Sequence, residues 1–187
     1  RVLKKTGQFW LNMGDCYGGN SSVAAAGRAG LGNDKIGTFK LFYDFNNQKL
    51  GLVEDEAIEE IEIRGRENKI FYQELNTHLL SSQNKLYLGK FKLDISSAYQ
   101  NTELIHFGDL NVYEIQMKLS TLTYEAKLHL PSKASSEYII GFQGFNQANT
   151  NVNNRGTKLL PDASTNNYSA FSLLQYTFFK KLKIQTG

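Results

Sequence analysis

Four groups of residues carry side chains able to do chemistry. Asp15-Cys16-Tyr17-Gly18-Gly19 sets a thiol beside a carboxylate and two glycines, the ingredients of a nucleophile loop. A working thiol or hydroxyl nucleophile needs a base oriented by a third group, and no His or Asp pattern supplies one here. The stretch reads instead as a Gly-rich turn between two strands. Cys16 is the sole cysteine and forms no internal disulfide. Glu54, Asp55, Glu56, Glu59, Glu60 and Glu62 form an acidic cluster. Carboxylate oxygens hold Ca²⁺, but this run lacks the Asp/Asn spacing and the glycine of a calcium loop, so a solvated charge run is the favoured reading. His78, His106 and His129 lie far apart in sequence, which does not support a His/Cys metal site. No catalytic residue, metal or cofactor is expected, and the chain is not read as an enzyme.

The fourth group is Asn146, Gln147, Asn149, Asn151, Asn153, Asn154 and Arg155, with Phe145 and Tyr168 at its base. Amides and aromatics bind sugars and chelates by hydrogen bonding and stacking. Asn149, Asn151, Asn153 and Arg155 are the ligand-binding candidates on what reads as a long polar loop. The same residue types are turn formers, so a purely local role stays open.

Something must position these residues, and composition points to strands. Aromatics make up 12% of the 187 residues, with 16 Gly and only 2 Pro, a mix that fits pleated surfaces. The net charge of +3 is too balanced to argue for nucleic acid. No apolar stretch approaches the ~20 residues of a membrane-spanning helix. The chain opens on Arg1 and closes on the alternating run Lys183-Ile184-Gln185-Thr186-Gly187, so it reads as a piece of something longer.

Period-two alternation is the strongest signal. Phe39, Leu41, Tyr43 and Phe45 fall on one face of a strand, and Thr38, Lys40 and Asp44 on the other, with Phe42 the exception. Phe91, Leu93, Ile95 and Tyr99 oppose Lys90, Lys92, Asp94 and Ser96 in the same way, and Tyr168, Ala170, Leu174, Tyr176 and Phe178 repeat the apolar phase. In the long run from Val112 to Leu130 the apolar phase passes from Tyr113, Ile115, Met117 and Leu119 to Leu122, Tyr124, Ala126, Leu128 and Leu130. Either a bulge sits near Ser120, or the two halves face different environments. Eight or nine strands are expected, over about 6–14, 21–32, 36–46, 68–86, 90–104, 112–130, 137–147 and 167–179, with another starting at 181.

Short connections near 33–35, 88–90, 131–136 and 179–181 alternate with long polar ones over 46–68, 101–111 and 146–167. Short turns on one side and long loops on the other are the layout of outer-membrane barrels. Lys40, Asp44, Lys92 and Asp94 suit a wet lumen better than a packed core, where lone charges are costly. The expected fold is all-β: antiparallel up-and-down strands of a transmembrane β-barrel, present in part, as one domain over 1–187. Tyr43, Phe45, Tyr87, Phe91, Tyr124, Tyr176 and Phe178 are candidates for interfacial aromatic girdles. The alternative is a soluble β-barrel or β-sandwich binding module for a lipid or sugar, in which those aromatics form a core.

The stretches 37–45 with 47–51, 85–93, 122–131 and 166–176 resemble the barrel of TonB-dependent outer-membrane receptors. The resemblance covers about residues 25–187 and rests on strand texture. Residues 1–24 do not carry it, and the Arg-Tyr-Asp-like continuation of the last strand is absent. It implies an outer-membrane location and a barrel of about 22 strands with a plugged lumen. This chain would supply well under half of that barrel. The plug and the segment that contacts the TonB system would lie outside these residues. The implied function is energy-coupled uptake of a large scarce ligand, such as a siderophore, a cobalamin or a glycan. The implied partners are outer-membrane lipid, that ligand and the TonB system.

Overall fold

The computed structural model describes the backbone of residues 4–16, 20–51, 72–108, 112–131, 135–152, 158, 160–179 and 182–187, with side chains from residue 22 onward. Every regular element among them is a strand: β1 (Lys4–Cys16), β2 (Asn20–Asn33), β3 (Gly37–Gly51), β4 (Tyr72–Leu88), β5 (Phe91–Phe107), β6 (Tyr113–His129), β7 (Ser136–Asn151), β8 (Ala163–Phe178) and β9 (Leu182–Thr186). They form one sheet in chain order, each strand antiparallel to the next. The sheet is open, with β1 and β9 at its edges.

The turns at the short end follow from local chemistry. Gly89-Lys90 joins β4 to β5, and Gly89 has φ 65, the left-handed conformation that two-residue hairpin turns need. Between β2 and β3, Asn33 accepts from Ile36 N at 3.2 Å through its carbonyl and from Lys35 N at 2.9 Å through its side chain. Gly37 follows with φ 139, tight against the Lys85 carbonyl.

Two of the expected long loops are shorter than their polarity suggests. Asn101 to Phe107 continues β5, leaving only 108–112 as the connection, and Asn146 to Asn151 continues β7, leaving 152–162. Polar residues stay in strand conformation there because flanking strands supply ladder partners, on both sides for 101–107 and 146–149 and from β6 alone for 150–151. The expected loop 46–68 begins later, since β3 runs to Gly51; the acidic cluster 54–62 lies outside the described residues. The strands are correspondingly tall. β4, β5 and β6 have 17 residues each, about 55 Å of extended chain.

Register assigns every side chain to one of two faces, because directly opposed residues share a face. Phe39, Leu41, Tyr43, Leu80, Phe91, Ile95, Tyr99, Leu122, Ile140, Phe142, Tyr168, Tyr176 and Phe178 fall on one face and are exposed there. Arg28, Lys40, Asp44, Gln83, Lys85, Lys92, Asp94, Ser96, Glu125, Lys127, His129 and Gln143 fall on the other. No large side chain among the described residues is fully buried; the buried hydrophobics are Tyr72, Phe107 and Met117 alone. A sheet with so small a core of its own must bury its apolar face against something else.

The apolar band occupies the half of the sheet next to the short turns. Above it, the same face carries Asn47, Asn76, Asn101, Glu103, Gln116, Lys118, Ser120, Asn146 and Asn166. These groups pair across strands: Asn101 donates to Ser120 at 2.8 Å, Gln116 donates to Glu103 at 2.9 Å, and Asn47 donates to Asn76. On the opposite face the change runs the other way, with Leu75, Leu104, Ile115, Met117 and Leu119 in the upper half. This answers the question posed by the phase switch in β6. The ladder runs unbroken through Ser120, and the register shift lies instead between His106 and Phe107. The two halves of β6 meet different environments.

Candidate functional site

The polar face carries the chemistry. Ser81, Gln83, Ser96, Ala98, Thr123, Glu125, Gln143, Phe145, Asn167 and Ser169 border a depression of about 490 Å³. They belong to five consecutive strands, β4 to β8. The depression spans five strands on this face, so the polar face is concave there. Its floor is made of small side chains, which keep the surface open. Phe171 fills the neighbouring position by lying over Gly141, where a Cβ would come within 2.1 Å of the ring.

Nearer the short turns, charged groups pair across the concave face. Asp94 Oδ2 lies 2.8 Å from His129 Nε2 and 3.3 Å from Lys92 Nζ, and His129 Nδ1 lies 3.4 Å from Glu137 Oε1. Each ring nitrogen faces a different carboxylate. The cluster joins β5, β6 and β7 through one side chain. Lys127 pairs with Glu125 at 2.7 Å. Among the described residues no group of three or more His, Cys, Asp or Glu side chains is arranged to hold a metal ion; His129 stands between its two carboxylates, so the three do not converge on one point.

Asn149 and Asn151 do not stand on a loop, as their composition suggested. They end β7, and both are buried. Asn151 donates from its backbone N and from Nδ2 to Asp162 Oδ1, at 2.6 and 2.8 Å, and from Nδ2 to the Leu160 carbonyl at 2.8 Å. Asn149 Nδ2 donates to the Pro161 carbonyl at 3.0 Å. Their amide donors are spent on shaping the β7–β8 connection. The Asp162 carboxyl is held below its ordinary range, chiefly by the Asn151 backbone N–H and then by its side chain, with Lys158 adding a smaller effect. Asn153 and Arg155 lie outside the described residues.

The other groups singled out from sequence are scattered. Cys16 ends β1, paired in register with Asn20, and Tyr17 to Gly19 lie outside the described residues. The histidines stay apart. His78 meets the Tyr43 hydroxyl at 2.7 Å on the apolar face, and His106 lies 3.4 Å from Glu114 at the far end of β5. Above the apolar band, Tyr72 stacks on Phe107 with centroids 4.3 Å apart and Lys49 Nζ sits 3.8 Å over its ring. Burial first, then Glu74, raises the Tyr72 hydroxyl above the usual tyrosine range.

Neither the serine-rich floor nor the His129 cluster was singled out from sequence. Ser81-Ser82 and Ser96-Ser97-Ala98 were the available signal for the floor: small residues on the polar phase of two adjacent strands. No local pattern links Asp94, His129 and Glu137, which only the register of three strands brings together. No family model matches the chain, and no curated protein or solved structure gives a significant match.

Proposed function

We propose that this sheet is part of the wall of an outer-membrane β-barrel, and that the barrel is a transport receptor of the TonB-dependent kind for a large scarce ligand. One observation carries the reading. The exposed apolar face is a band bounded by height, not a face that is apolar throughout. On β5 it runs from Phe91 to Tyr99, about nine positions, which matches the 9–11 tilted residues that cross a bilayer. Aromatic side chains mark both margins: Tyr138, Tyr176 and Phe178 toward the short turns, Tyr43, Tyr99 and Tyr168 toward the tall ends. Interfacial girdles occupy such positions. The charged concave face is then the lumen wall, and the polar upper half stands clear of lipid. The choice of receptor among barrels rests on the sequence resemblance.

The test is solubility and labelling of the intact protein. It should need detergent after extraction, and a lipid-restricted photoprobe should label Ile95 and Phe142 but not Ser96 or Gln143. A monodisperse protein in plain buffer, unlabelled at all four positions, would overturn the barrel. Uptake assays with siderophore, cobalamin and glycan panels in cells lacking the protein then test the transport role.

The soluble binding module gains support only from the upper half, where the apolar side chains are on the concave face. The lower half opposes it, because there the charges lie on the inner face and the exposed apolar band on the outer one; Phe42, Ile139, Phe171, Leu173 and the girdle candidate Tyr87 share the inner face with the charges.

A further inference from the structure

The hollow of about 490 Å³ on the concave face is lined by two adjacent rows of side chains. In one row Gln83 opposes Ser96, Ser96 opposes Glu125, and Glu125 opposes Gln143. In the next row, toward the tall ends, Ser81, Ala98 and Thr123 make a low floor, and Phe145 and Asn167 stand beside it. Three carboxamides from three strands, Gln83, Gln143 and Asn167, therefore border one hollow. Among the described residues none of the three makes a side-chain hydrogen bond. Higher on the sheet comparable amides are paired within the protein: Asn101, Gln116 and Gln147 donate to Ser120, Glu103 and Thr121. Glu125 is the one charged residue among the described residues of the lining, and Lys127 holds it at 2.7 Å. The hollow thus presents reachable amides, hydroxyls and an aromatic ring, with no uncompensated charge.

We propose that this hollow binds a short uncharged oligosaccharide. A carboxamide both donates and accepts, and so does a sugar hydroxyl, so Gln83, Gln143 and Asn167 match such a ligand group for group. The apolar face of Phe145 receives the C–H side of one sugar ring. The volume falls in the range of small-ligand sites, about 300–1,000 Å³. An anionic chelate fits worse, because the lining holds no cation to pair with a carboxylate taken out of water. The inference rests on the transport reading and narrows its ligand to a glycan.

The probes are three neutral trisaccharides, maltotriose, cellotriose and mannotriose, and the anionic trigalacturonate. Their binding to the intact protein, as its reading frame encodes it and in detergent micelles, is measured by calorimetry. At least one neutral trisaccharide should bind saturably, and about tenfold or more tighter than trigalacturonate. Its affinity should hardly change between low salt and about 0.5 M salt, because no charge pairing is involved. Phe145→Ala should weaken it by about tenfold or more, and Q83A/Q143A by about tenfold. The comparison of neutral and anionic sugars on the unaltered protein needs no variant to fold. No saturable binding by any of the three, or trigalacturonate binding as tightly, overturns the proposal, as does unchanged affinity in a folded Phe145→Ala or Q83A/Q143A protein. Absent sugar binding with lipid labelling intact refutes this site alone, whereas sugar binding by a protein that needs no detergent refutes the barrel and leaves the site standing.

Discussion

At the scale of single residues, the constraints are backbone conformation and spent hydrogen bonds. Gly37 combines φ 139 with a site where a Cβ would lie 1.8 Å from the Lys85 carbonyl oxygen. Alanine there must strain the backbone and displace a ladder carbonyl, so Gly37→Ala should destabilise by about 2 kcal/mol or more, read as a lower urea midpoint. Gly89 has open space around it, and Gly89→Ala should cost only the positive-φ penalty of about 1 kcal/mol. Asp162 gives a pH prediction. Its carboxyl is held below the ordinary range, so the contribution is present above the unfolded value and is lost as pH falls through the folded one. The protection of the Asn151 amide, measured as its exchange rate relative to the intrinsic rate at each pH, should therefore fall below the usual aspartate range, and Asp162→Asn should flatten that dependence.

At the scale of elements, β5 and β6 show how one strand serves two environments. Neighbouring residues Ile95 and Ser96 point to opposite faces at the same height. If the apolar band meets lipid, Ile95→Lys should cost about 2–4 kcal/mol near the bilayer middle. Ser96→Lys points into the wet concavity and should cost well under 1 kcal/mol. Equal penalties, measured as folded fraction in lipid vesicles over a urea series, would speak against a lipid-facing band. In the upper half the asymmetry reverses: Met117 is buried on the concave face beside exposed Lys118.

At the scale of the whole molecule, the sheet is open, and edge strands are templates for pairing. Unpaired backbone groups are not tolerated in lipid. Residues 1–187 expressed alone should therefore aggregate or stay out of the membrane, seen as the absence of a heat-shifted band on gels. A stable heat-shifted species, or ligand uptake by cells expressing only these residues, would contradict this.

The amino-acid order by itself determined the elements. Alternation such as Phe39–Phe45 and Phe91–Tyr99 defines strands and their apolar sides, because side-chain direction in an extended chain depends only on sequence parity. The short connections near 33–35 and 88–90 were legible too, and the structure adds the positive φ of Gly37 and Gly89 beside them, a backbone conformation open to few other residues. Polarity alone ended two strands early, at about 104 and 147 where β5 and β7 run to 107 and 151, because a ladder partner, not composition, decides whether a polar run stays extended. The phase switch in β6 was visible, but its cause was not. Only the registers across eight strand pairs showed that the faces exchange character without a bulge. The tertiary structure likewise assembled the concave face. Asp94, His129 and Glu137, and the amides Gln83, Gln143 and Asn167, meet through alignments between strands, and register is a property of pairs that no single strand encodes.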